Sequence, residues 1–149
     1  MNRARNVERC LQELGYALVP TKGTSMWPLL REGKSLVQLT AREGRPIKAG
    51  DVVLYRAEDG KLILHRVIQV LQEDMYLLCG DHQWRPEEQV SDGQILAVAN
   101  QFIRNGHCVD DRTWWYGLYK ILWNSNMTVR RICLGILRLT GLEKRSLQL

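Results

Sequence analysis

Leu62-Ile63-Leu64-His65-Arg66-Val67-Ile68-Gln69-Val70 is the longest stretch with a β-strand pattern in this 149-residue chain. Aliphatic and β-branched residues fill it, and no glycine or proline interrupts it. Successive side chains of an extended segment point to opposite faces, so Ile63, His65 and Val67 share one face and Leu64, Arg66 and Ile68 the other. Shorter runs lie at 35–40, 51–56, 75–79 and 94–102, with a further extended piece at 16–19, and Gly, Asp and Pro signals separate them. Asp59-Gly60 between two runs is a tight hairpin signal. Short strands in hairpin order predict a mainly β fold, either a curled antiparallel sheet or a small barrel.

Helical patterns flank this β region. Val7, Cys10, Leu11 and Leu14 fall at i, i+3, i+4 and i+7, which predicts a short N-terminal helix over 3–14 with Gly15 as its stop. Near the other end, Val129, Ile132, Cys133, Ile136 and Leu137 repeat at helical spacing, with Arg130, Arg131 and Arg138 assigned to the opposite side. Upstream of them Trp114, Trp115, Tyr116, Tyr119 and Trp123 concentrate aromatic residues beside Lys120. The expected organisation is a domain over 1–110, with its β core at about 16–104, and a basic amphipathic helical appendage over 111–149. No Pro/Gly/Ser-rich linker divides the chain, and its length suits one hydrophobic core.

Charge sharpens that division. The net charge is +5, yet from Arg112 onward seven basic residues stand against Glu143 alone, so the excess lies in the tail. A basic, aromatic, amphipathic segment such as 112–139 suits a membrane surface, a partner, or the β domain itself. No run of about 20 apolar residues occurs and the N-terminus has no signal-peptide pattern, which predicts a cytoplasmic or peripherally membrane-associated protein with no transmembrane helix. Cys10, Cys79, Cys108 and Cys133 form no CxxC pair, so neither a zinc site nor a disulfide framework is expected, and no cofactor or metal is called for.

Chemistry concentrates at two places. Gly23-Thr24-Ser25-Met26-Trp27-Pro28 sets a serine in a turn, and Trp27-Pro28 suits the start of a helical turn ending at Gly33. Backbone N–H groups at such a helix start would face an oxyanion near Ser25. Serine needs a proton acceptor within hydrogen-bond reach. His65 can supply one, since an unperturbed imidazole titrates near 6.5. Histidine flanked by apolar residues on a strand is also compatible with a purely structural, half-buried role. His82 and His107 fall in expected loops and read as solvated.

With these segments in place, the chain resembles the signal peptidase I and LexA-like superfamily of serine peptidases. Gly23-Thr24-Ser25-Met26-Trp27-Pro28-Leu29-Leu30-Arg31-Glu32-Gly33 resembles the nucleophile box G-x-S-M-x-P-x-x-x-x-G, Gly50-Asp51-Val52-Val53 the following strand start, Leu64-His65-Arg66-Val67 the box that carries the base, and Gly80-Asp81 the next G-D motif. These four boxes fall in order from Gly23 to Asp81, and the resemblance covers about residues 16–102. A histidine at the base position is similar to the type found in the endoplasmic reticulum, archaea and some Gram-positive bacteria. The resemblance implies Ser25 as nucleophile, His65 as general base, and an acidic third group, Asp81 by first choice with Glu87 as the other candidate. It also implies an oxyanion loop containing Gly23, Thr24 and Met26. Gly23 stands where many members have an additional serine, so the hole falls to backbone N–H groups, with Thr24 beside them. Members that process preproteins carry a hydrophobic anchor, in place of which this chain has the polar helix at 3–14.

The preferred expectation is a serine endopeptidase that cuts an extended peptide or leader segment with a Ser–His dyad aided by an acidic residue. Its partner is then a peptide or protein substrate, and no nucleic acid is expected, since no helix-turn-helix segment precedes Ser25. Two alternatives stay open at this point: a self-cleaving regulatory module, and a non-catalytic peptide-binding domain of the same fold.

Overall fold

The computed structural model describes residues 3–86 and 88–141. Helix α1 (Arg3–Leu14) is followed by strands β1 (Tyr16–Pro20), β2 (Ser35–Ala41), β3 (Val52–Arg56), β4 (Leu62–Val70), β5 (Met75–Cys79), β6 (Glu88–Ser91), β7 (Ile95–Arg104) and β8 (His107–Val109). Helices α2 (Trp114–Ser125) and α3 (Met127–Leu139) complete the order. Gly15 stops α1 in the left-handed region at φ 77°, its N–H closing on Leu11 O at 3.1 Å, a conformation that costs a residue without Cβ little.

All eight strands belong to one antiparallel sheet in the order β1-β2-β7-β3-β4-β5-β6, with β8 added on β7. The path is open. No ladder joins β1 to β6 among the described residues, so the expected curled sheet or small barrel is corrected to an open sheet. The reason lies in the strand order, because β7 comes back between β2 and β3 and leaves β1 and β6 at opposite ends. The strands at 88–91 and 107–109 escape the sequence pattern, being short and without alternating apolar residues.

Hydrophobic side chains form two main clusters, and the central strand β3 serves both. Val52 and Leu54 point into a cluster with Leu11 of α1, Val37 and Leu39 of β2, Ala97 and Phe102 of β7, and Tyr116 of α2. Val53 and Tyr55 point into the other, with Val67, Tyr76, Leu78, Val90 and Val98. A strand buried on both faces reads as a continuous apolar run rather than an alternating one, as Val52-Val53-Leu54-Tyr55 does.

The C-terminal helices pack against the β domain, not apart from it. Trp123 and Leu134 cluster with Trp27 of the serine turn. The orientation of α3 corrects the sequence reading: Arg130 and Leu134 face inward, fully or almost fully buried, whereas Ile132 and Ile136 are exposed. A helical face is set by what it meets, and here the neighbouring segment presents carbonyl oxygens that suit a guanidinium. Residues 142–149 of the expected tail, with Glu143, Lys144 and Arg145, lie outside the described residues.

Candidate active site

Ser25 opens a run of turns between β1 and β2. Gly23 takes φ 77° just before it, a left-handed conformation that favours glycine. The expected helical start at Trp27-Pro28 is not formed. Trp27 N–H instead bonds back to Thr24 O at 3.0 Å, Leu30 N–H bonds Met26 O at 2.9 Å, and the Trp27–Pro28 peptide is cis. The Trp27 N–H is thereby spent inside the turn, where Gly23 and Thr24 are exposed. Met26 itself is buried, its side chain in the first core cluster.

His65 sits where alternation places it, on the face of β4 that carries Ile63 and Val67, and it is 6 % exposed. Its Nδ1 lies 3.3 Å from the hydroxyl of Tyr55 on β3, one register step diagonal from the Val53–His65 pair. The opposite ring nitrogen points at Gly80. A Cβ built on Gly80 would stand 3.2 Å from His65 Nε2 and 2.6 Å from the carbonyl oxygen of Ser25. The serine turn and the histidine ring therefore meet across one glycine. His82 N–H fixes this approach by donating to the same Ser25 oxygen at 2.8 Å, while Gly80 N–H donates to Gln83 Oε1 at 2.8 Å.

Asp81 is placed differently from its expected role. Its carboxylate is fully buried and receives Arg66 Nε and Nη2 at 2.8 and 2.9 Å and the Tyr119 hydroxyl at 2.8 Å. Arg66 projects from the face of β4 opposite to His65, so the carboxylate that follows Gly80 is drawn to the guanidinium and not to the imidazole. Tyr55 is the group found on His65 Nδ1. Glu87, the other acidic candidate, lies outside the described residues. Burial opposes the charge on Arg66, but Asp81 outweighs it and raises the pKa above that of a free guanidinium. Burial, reinforced by Asp81, likewise pushes the Tyr119 hydroxyl well up, keeping it a neutral donor.

A second guanidinium closes the loop from α3. Arg130 Nη1 donates to Gly80 O at 3.0 Å and Gln83 O at 3.1 Å, and its Nη2 donates to Trp123 O at 2.8 Å. Burial lowers its pKa, yet an arginine so placed stays charged at neutral pH. Trp123 Nε1–H donates to Asp81 O at 2.9 Å. The tail thus holds the 80–83 loop against the serine turn, a contribution that helical spacing alone does not reveal. His82, read as solvated, packs its ring on Trp27 at 5.3 Å between centroids because the loop lies under the serine turn; His107 is exposed but belongs to β8.

A cavity of about 730 Å³ opens beside Ser25. The consecutive residues 19–23 line one side and 59–64 the other, with α1 contributing Arg3, Ala4 and Val7. Among the described residues no group of three or more His, Cys, Asp or Glu side chains is placed to share a metal ion, and no helix is long and apolar enough to cross a membrane. No protein-family model and no curated protein matches the chain, so a function must be read from these side chains and the cavity beside them.

Proposed function

We propose that the protein is a serine endopeptidase of the signal-peptidase-like type that cuts an extended peptide. The observation that supports this most is the meeting of the Ser25 turn and His65 Nε2 at Gly80. In this reading Ser25 Oγ attacks the scissile carbonyl carbon while its proton passes to His65 Nε2. The C–N bond then breaks as the same proton goes to the leaving amine. Water, deprotonated by His65, hydrolyses the acyl-enzyme and restores the serine. The N–H groups of Ser25 and Met26 receive the oxyanion.

Nε2 can act as base only if the imidazole proton sits on Nδ1, so Nδ1–H donates to the Tyr55 oxygen. Tyr55 is a positioning residue in this scheme. Tyr55→Phe is expected to lower kcat about tenfold, the worth of one hydrogen bond, with KM unchanged. A displaced pH–rate midpoint in the variant separates this role from simple packing.

The substrate is an added strand. Among the described residues β1 pairs only with β2, and β4 pairs with β5 only from Arg66 onward, so the outer edges of β1 and of the first half of β4 both border the cavity. A peptide laid between them can take backbone hydrogen bonds from either edge. Profiling of protein N-termini in cells expressing wild-type chain or Ser25→Ala tests the reading. Termini present with wild type and missing with the variant are expected, and identical profiles would sink it.

Lipid contact is proposed for the outer faces of α2 and α3. Trp114, Leu118 and Ile121 on α2 and Ile132, Ile136 and Leu139 on α3 are more than half exposed, within a segment of excess positive charge. Such a surface suits the headgroup boundary of anionic lipid. Cosedimentation with phosphatidylserine-containing vesicles is expected, weakening at high salt; equal recovery with and without vesicles counts against it.

A further inference from the structure

We infer that the cavity beside Ser25 is built for aliphatic side chains larger than alanine, and that α1 is one of its walls, with Val7 setting what the cleft accepts. This rests on the peptide-cleft reading above and adds to it the class of side chain recognised.

The floor of the cavity is the hydrophobic core itself. Met26, Leu30, Val37, Leu39 and Leu54 belong to the first core cluster, are nearly inaccessible to solvent, and line the cavity. A side chain that reaches them meets close-packed hydrocarbon beneath a rim that carries charged side chains. At about 730 Å³ the space falls within the range of sites that enclose whole ligands. Alanine methyl groups would leave most of it empty and forfeit the dispersion contacts the walls offer, whereas two larger aliphatic side chains from one face of a strand reach more of those walls.

Helix α1 closes this space from the side. Ala4 and Val7 line it, and the helix is fixed at two points along its length: Arg3 Nη2 donates to Pro20 O on β1 at 2.8 Å, and Glu8 pairs with Arg56 at the end of β3. The helix therefore runs from the strand edge that would receive the peptide to the end of the central strand β3. Charge at the rim indicates what flanks the aliphatic residues. Among the described residues Arg3, Lys22 and Lys61 line the cavity against a single acidic residue, Asp59, which Lys61 already contacts. Acidic residues beside the aliphatic pair complement that rim.

Fluorescence anisotropy with the full-length Ser25→Ala chain tests the inference without requiring cleavage. The probes are fluorescein-labelled Gly/Ser decapeptides bearing two leucines two residues apart with a glutamate on either side, and the same peptides with both leucines changed to alanine. The leucine peptide is expected to bind more tightly by roughly tenfold or more per leucine. Val7→Trp in the same background is expected to weaken it at least about tenfold by filling the cavity. Ala4→Leu gives a milder filling from the preceding turn, with circular dichroism as the check that α1 persists. Equal affinity for both peptides, no binding of either, or no response to Val7→Trp and Ala4→Leu in folded proteins overturns the inference. Leucine-selective binding by Ser25→Ala, combined with no cleavage by the wild-type chain, leaves it standing and removes the peptidase reading instead.

Discussion

Asp81→Ala is expected to destabilise the protein by about 3–5 kcal/mol, as loss of one partner from a buried ion pair does. That is a large share of the roughly 5–15 kcal/mol that holds an ordinary domain together. Arg66 and Asp81 are both inaccessible to solvent, and the pair sits between the β domain and α2. Without the carboxylate, Arg66 keeps Gly50 O at 2.7 Å and the faces of Tyr116 and Tyr119, with ring centroids 5.8 and 5.4 Å away. Those contacts cannot replace a full negative charge. The variant also leaves the Tyr119 hydroxyl without its acceptor. Denaturant unfolding measures the loss, and the double replacement Arg66→Met/Asp81→Leu is expected to recover much of it, since no unpaired charge then remains. If Asp81→Ala unfolds at the wild-type midpoint, the pair is not what fastens the tail.

Gly80→Ala is expected to lower the proposed peptidase activity by about a hundredfold or more, because the added methyl group has nowhere to go. Its Cβ would lie 2.6 Å from Ser25 O, which is backbone and is also held by His82 N–H. No rotamer change relieves a contact with a main-chain carbonyl. Either the serine turn or the 80–83 loop must shift, and the same shift moves Ser25 relative to His65 Nε2. Overpacking of this kind costs about 1–3 kcal/mol of stability. Hydrogen exchange at the His82 amide reads the displacement directly, since its bond to Ser25 O breaks as the two segments part. Wild-type exchange and activity in the variant would show that the loop and the turn are not in contact in solution.

The sequence discloses these features unevenly, for physical reasons. Alternation finds β4 from Leu62 to Val70 and places His65 on the Val67 face, because side-chain direction in a strand is a local property. Helical spacing finds α1 in the same local way, through Val7, Cys10, Leu11 and Leu14 at i, i+3, i+4 and i+7. Asp81 is another matter: Gly80-Asp81 announces an acidic group near the site, but the choice between His65 and Arg66 depends on which face of β4 the loop passes. That is decided by Tyr119, Trp123 and Arg130, about 38 to 49 residues downstream in a tail whose packing no local pattern records. Arg130 misleads for a related reason. A positive charge on an amphipathic helix reads as solvent-facing until a cluster of carbonyls is known to await it. Tyr55 was legible in principle, since a hairpin at Asp59-Gly60 brings it diagonally opposite His65 once the register is fixed.

The clamp that Trp123 and Arg130 form on Asp81 and Gly80 also orders events in time. A ribosome makes Ser25, His65 and Gly80 well before it reaches either residue. A nascent chain that has emerged only as far as β8 carries the serine and the histidine but lacks the guanidinium and indole that pin the loop between them. The site is completed by helices made after it, so any hydrolytic power of this chain begins only once α2 and α3 have been synthesised.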